Sequence, residues 1–194
     1  MRRDLGAADR TVLLTVKRLH PVGGHETLLT AMPAILARFP AAMLWLAGDG
    51  EARAPLEAQC RALGIAPHVR FLGRVDNEAL ARYYIAADAF VLSSRVESWG
   101  TVMLESLACG TPVVTTDTVG GREVAAMFPE DVFAVNIGDA ERLTHGVIQT
   151  LWKGTRASSA ASDRLQREFS VDACAWRYLT VYEQAVGSRY APAR

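Results

Sequence analysis

The sequence has few of the features that mark disulfide-bonded, membrane-spanning or nucleic-acid-binding proteins. Its three cysteines, Cys60, Cys109 and Cys174, are far apart and form no C-x-x-C pair, so we expect neither a disulfide framework nor a cysteine zinc site. The longest apolar stretches, such as Ala41–Ala47, are much shorter than the roughly 18 residues of a membrane span. Lys and Arg total 21, as do Asp and Glu, and this balance argues against a nucleic-acid partner.

The length and the first residues place bounds on the organisation. A chain of 194 residues is long enough for one well-cored domain and short for two. We therefore expect a single domain over residues 1–194, with a core over about 11–155 and a helical segment over about 157–186. The start lacks the apolar core of a signal peptide. Together with the unpaired cysteines, this favours a cytoplasmic location.

Short β-rich runs alternate with longer segments of helical period, which indicates an α/β fold: a Rossmann-like parallel sheet of about six strands with helices on both faces. The predicted strands are Thr11–Lys17, Met43–Ala47, His68–Leu72, Ala89–Leu92, Val113–Thr115 and Phe133–Val135. The predicted helices are His25–Arg38, Ala52–Leu63, Glu78–Ala86, Thr101–Ala108 and Ala140–Trp152, followed by helix over 157–186. Trp45 and Trp152, in a strand and a helix, are expected in the core.

Glycines and charged residues follow the predicted strands at the edge where parallel sheets bind ligands. Gly48 and Gly50 follow the second strand, Arg74 the third and Glu97 the fourth. The carboxyl ends of parallel strands gather loops and helix N-termini at one edge. The sequence therefore predicts a ligand crevice there.

The helix predicted to begin near Thr101 offers unpaired N–H groups that suit a phosphate. Glu105, one turn further on, suits a pair of sugar hydroxyls, as the acid of dinucleotide-binding folds does. Glu97 precedes the helix and is expected to face the same crevice. Arg18 follows the first strand, where a guanidinium can grip phosphate oxygens.

Each of these residues also has an ordinary structural interpretation. Glu105 can be an acid favoured by the helix dipole, Glu97 a solvated loop acid and Arg18 a surface charge. The glycines can be common turn residues. The four histidines show no metal-ligand spacing and are interpreted as structural.

Four motifs in the sequence resemble those of a known family. In order they are A-G-D-G-E after the second strand, F-L-G-R-V after the third, S-S-R-V-E-S-W-G-T-V-M-L-E-S-L-A-C-G-T-P-V-V around the fourth, and V-G-G-x-E at Val119–Glu123. From about Thr11 to Tyr182 the chain resembles the C-terminal, donor-binding half of a retaining GT-B glycosyltransferase of family 4. The pair Glu97 and Glu105 matches the E-x7-E motif of that family.

The resemblance implies roles for these residues. Glu105 would hold the nucleotide ribose, and Glu97 would approach the donor sugar. The backbone of Ser98, Trp99, Gly100, Thr101 and Val102 would cradle the sugar and diphosphate, while Arg74 and Val75 would meet the base. Arg18 would neutralise the leaving diphosphate. The family usually works without a metal, so no metal or other cofactor is expected, and the nucleoside-diphosphate sugar is the substrate.

The chain departs from the family pattern V-G-R-L-x-x-x-K-G. It reads V-K-R-L-H-P-V-G-G, so Gly23 stands at the expected lysine and Lys17 at the expected glycine. Lys17 is a candidate substitute cation, but strand alternation directs Lys17 and Arg18 to opposite faces unless the strand has already ended. Ser98 and Trp99 replace the usual Gly and Phe.

The resemblance also implies a second, N-terminal acceptor domain, which this sequence does not supply. The segment around Phe169–Tyr182 resembles the helix that crosses back to that domain. Any peripheral contact with a membrane would be made through the absent domain. A chain of this kind is expected to be inactive alone.

Two other functions are open to the sequence. A non-catalytic nucleotide- or sugar-binding module is favoured by the missing lysine at Gly23 and by the absent acceptor domain. A nicotinamide-dependent oxidoreductase is disfavoured, because the first strand-to-helix turn lacks G-x-G-x-x-G.

Overall fold

The computed structural model describes residues 2–189, and side chains over 2–186, as a parallel sheet between two layers of helices. The sheet of these residues contains six strands: β1 Thr11–Val16, β2 Ala42–Ala47, β3 Val69–Gly73, β4 Ala89–Leu92, β5 Val113–Thr116 and β6 Val132–Val135. Their order is β3-β2-β1-β4-β5-β6, and all neighbours pair in parallel. The predicted Rossmann-like sheet is confirmed.

One α-helix follows each strand, and two further α-helices come after the sixth without another strand among the described residues. They are α1 His25–Arg38, α2 Arg53–Ala62, α3 Asn77–Ala86, α4 Thr101–Ala108, α5 Val119–Met127, α6 Ala140–Lys153, α7 Ser159–Phe169 and α8 Val171–Arg189. Short 3-10 helices occupy Pro21–Gly23 and Ala66–His68.

The sequence pattern missed α5, because two glycines in its first turn lower the intrinsic helix propensity. The expected helical segment over 157–186 is two helices, α7 and α8, which meet at Ser170 in extended backbone.

Strand alternation divides the core between the two faces of the sheet. Val12 and Leu14 face one layer, which contains α3, α4, α5 and α7. Leu13 faces the other, formed by α1, α2 and α6. Trp45 is fully buried as predicted, but Trp152 is 65% exposed. The prediction for Trp152 was wrong because this side chain lies at the last turn of α6, away from the sheet.

Helix α8 leaves its apolar side chains exposed. Its large exposed side chains are Val171, Trp176, Tyr178, Leu179, Val181, Tyr182 and Val186. Among the described residues no helix is long and apolar enough to cross a membrane.

Candidate functional site

An open crevice of about 1160 Å³ lies at the carboxyl edge of the sheet. It spans the point between β1 and β4 where the strand order reverses, which is the usual ligand position in open α/β sheets. Most of the predicted site residues line it: Lys17, Arg18, Gly48, Gly50, Arg74, Val75, Glu97, Ser98, Trp99, Gly100, Thr101 and Val102. The sequence singled out no role for Asp49, Asn77 or Leu80, which also line it.

Two glycines after β2 bring the first two loops into contact. A Cβ on Gly48 would lie 2.0 Å from the carbonyl oxygen of Lys17, and one on Gly50 would lie 2.3 Å from that of Leu19. Backbone hydrogen bonds continue along this contact, since the Leu19 N–H donates to Asp49 at 3.1 Å. The close approach fixes the backbone that carries Lys17.

The cationic side chains after β1 both reach the crevice. β1 ends at Val16, so strand alternation no longer separates Lys17 from Arg18, and both line the same cavity. Lys17 Nζ lies 2.5 Å from Glu97 Oε2, with side chains 22% and 15% exposed. Arg18 is 74% exposed and lies 3.4 Å from Glu51. Arg18 is therefore held loosely and Lys17 tightly.

Gly100 and Gly120 allow close packing around the loop before α4. Gly100 has φ 71°, and a Cβ there would lie 2.5 Å from Met103 and 3.1 Å from Glu97 Cγ. The Gly120 N–H donates to the carbonyl of Glu97 at 2.9 Å, and a Cβ on Gly120 would lie 2.8 Å from the backbone of Trp99. Sequence reasoning assigned no role to Gly120, although the V-G-G-x-E motif marked its position.

Glu105 lies one turn inside α4 but does not line the crevice. Its Oε2 accepts a hydrogen bond from the Tyr84 hydroxyl at 2.9 Å. Burial, and then the Glu105 carboxylate, raise the pKa of Tyr84. A carboxylate has acceptor sites for more than one donor, so a ribose would share Glu105 with Tyr84 or displace it. The ribose role stays a prediction.

Gly23, at the expected lysine position, also lies outside the crevice lining. A Cβ there would lie 2.4 Å from the His25 ring, so a longer residue would have to displace His25. That imidazole is 1% exposed, and neither ring nitrogen has a hydrogen-bond partner among the described residues. Burial lowers the pKa of His25 to about 4, which keeps the ring neutral near pH 7.

A doubly wound sheet with a crevice at its switch point defines an α/β protein of the ligand-binding class. The chain belongs to the glycosyl transferases group 1 family, whose model matches residues 1–162. It is 37% identical over 176 residues to the lipopolysaccharide core biosynthesis glycosyltransferase LpsE of Rhizobium meliloti, covering 89% of this chain and 49% of LpsE.

Solved structures resemble the chain over nearly its whole length. Sucrose-phosphate synthase of Thermosynechococcus elongatus has a TM-score of 0.84 at 30% identity, covering 96% of this chain and 48% of that protein. Anabaena HepE in complex with UDP-glucose also has a TM-score of 0.84, at 24% identity, over 94% of this chain and 51% of HepE. The chain spans about half the length of LpsE and of both solved chains.

Proposed function

We propose that this chain is the donor-binding domain of a glycosyltransferase that moves a sugar from a nucleoside-diphosphate sugar to an acceptor with retention. One observation carries the proposal. The α4 N-terminus, a carboxylate at Glu97 and the cations Lys17 and Arg18 all line one crevice. N–H groups and cations suit a diphosphate, and a carboxylate suits sugar hydroxyls. HepE, of the same fold, binds UDP-glucose.

Each lining group has a proposed role in this reaction. The N–H groups of Thr101 and Val102 donate hydrogen bonds to diphosphate oxygens, and Glu97 faces the donor sugar. Arg18, exposed and loosely paired, can turn to the diphosphate as negative charge develops on the leaving group. Arg74 and Val75, which follow the edge strand β3 and line the crevice, meet the base. No metal is needed if these cations supply the positive charge, so chelator should leave nucleotide binding unchanged.

We propose that transfer requires a second domain. Retaining chemistry needs an acceptor hydroxyl about 3 Å from the anomeric carbon, and the crevice is open to solvent. The exposed apolar side chains of α8 are suited to pack against such a domain. We therefore expect this chain to bind nucleoside diphosphates weakly and to transfer no sugar alone.

A calorimetric screen of the chain against UDP, GDP, ADP and their sugars tests the proposal. At least one nucleoside diphosphate should bind and raise the unfolding temperature, since a ligand of the folded state stabilises it. Glu105→Ala should weaken binding of the diphosphate more than Glu97→Ala, because every donor has a ribose. Equal losses would contradict the two acid roles, and failure of all nucleotides to bind would reject the donor-binding function.

A non-catalytic binding module is the second candidate. It is favoured by the Lys17–Glu97 ion pair, which engages the acid proposed to act on the sugar. Both candidates predict nucleotide binding, so they are separated by transfer. Sugar transfer by this chain combined with an acceptor domain supports the enzyme, and binding without transfer supports the module.

A further inference from the structure

The ion pair of Lys17 and Glu97 in the crevice is largely shielded from solvent. Nζ and Oε2 are 2.5 Å apart, and both side chains are less than a quarter exposed. Gly100 packs beneath the carboxylate, since a Cβ there would lie 3.1 Å from Glu97 Cγ and 3.5 Å from Cδ. The carboxylate is therefore confined between the lysine and the start of α4.

An unpaired Glu97 would oppose any anion in this cavity. Thr101 and Val102, whose N–H groups begin α4, line the crevice together with Glu97. A diphosphate at that N-terminus would lie close to the carboxylate, and like charges repel at the effective dielectric of a protein surface. Contact with a lysine cancels most of this field.

We propose that Lys17 is a positioning residue that neutralises Glu97, so that the crevice accepts the diphosphate of the donor. The inference rests on the proposed function, since it assumes that the crevice binds a diphosphate. It differs from a direct phosphate contact by Lys17. In the proposed role the lysine is needed only while residue 97 is charged.

The pyrophosphate affinities of wild type, Lys17→Met, Glu97→Gln and the double variant separate these roles. Pyrophosphate is the probe because it contains the diphosphate without a base. Lys17→Met should lower affinity about tenfold, the effect of about 1.4 kcal/mol. Glu97→Gln should raise affinity. The double variant should bind within about threefold of wild type, since it restores the charge balance. Lys17→Arg should retain affinity, and Arg61→Met, which removes an exposed cation on α2, should change little.

Two results would overturn the inference. One is a double variant that binds as weakly as Lys17→Met, which indicates direct contact with phosphate. The other is full affinity in Lys17→Met itself. If a nucleoside diphosphate binds wild type in the calorimetric screen, either result rejects only the role of Lys17. If neither nucleotide nor pyrophosphate binds wild type, the donor-binding function fails together with it.

Discussion

The sheet with its crevice and the terminal helix α8 differ in what covers their apolar side chains. Val12 and Leu13, which point to opposite faces of β1, are both fully buried, because helices cover both sides of the sheet. On α8, Trp176 is 71% exposed and Tyr182 is 61% exposed. The first region contains its own stabilising contacts. The second has the composition of a buried surface but stays exposed among the described residues, which fits the proposed second domain.

The largest expected effect is a loss of stability from a substitution in the sheet region, where the loops after β1 and β4 are in contact. Gly24 has φ 63°, and a Cβ there would lie 1.9 Å from the carbonyl oxygen of Ser93. Gly24→Ala should lower the free energy of unfolding by at least about 3 kcal/mol, since backbone must move.

Gly64→Ala is the matched control for this variant. Gly64 has a similar φ of 68° with no atom within 4 Å of its Cβ position, so it should cost only the left-handed strain of about 1–2 kcal/mol. Urea unfolding of both variants measures the difference. Equal losses of unfolding free energy in the two variants would mean that the loops after β1 and β4 separate at little energetic cost.

Acidification should weaken the sheet region through His25. The folded pKa of about 4 is below the ordinary histidine pKa of 6.5, so the unfolded state binds the proton first. The stability from this group is complete above about pH 6.5 and is lost as the pH falls toward 4. Between about pH 7 and pH 4.5, wild type should lose about 2–3 kcal/mol more than His25→Leu. Parallel losses in urea unfolding would place the responsible protons elsewhere.

Arg18→Ala should change ligand binding without affecting the fold. The side chain is 74% exposed, so little packing is lost. Affinity for the nucleoside diphosphate should fall about tenfold or more, and affinity for the nucleoside should stay the same, because the guanidinium meets charged oxygens. Calorimetry with both ligands measures this. Equal losses for both ligands would make the arginine structural.

Removal of α8 should have the smallest effect on stability. A chain ending after Ser170 loses a helix with no fully buried side chain among its described residues, so the free energy of unfolding should fall by less than about 1 kcal/mol. A chain ending after Ser158 also loses α7 with the buried Ala161 and Leu165, and should lose about 2 kcal/mol or more. A large loss on removal of α8 alone would refute the contrast between the regions.

The alternating pattern of the sequence was sufficient for the sheet and for the edge that carries the crevice. Period-2 and period-3.6 patterns are local properties, so α1 and α4 were predicted with the bounds His25–Arg38 and Thr101–Ala108 that the structure has. The motif around Glu97 predicted one continuous part of the crevice lining, residues 97–102, for the same reason, since neighbours in sequence share one loop.

Contacts between distant segments were decided only by the tertiary structure. The ion pair of Lys17 with Glu97 joins residues 80 positions apart, and it depended on where β1 ends. Glu105 on α4 accepts a hydrogen bond from Tyr84 on α3. The Gly120 N–H donates to the carbonyl of Glu97, although α4 and β5 lie between them in the sequence. The tertiary structure also decided that Trp45 is buried and Trp152 is exposed. A sequence pattern specifies which face of an element is apolar, but only packing of the whole chain specifies what each face and each charge meets.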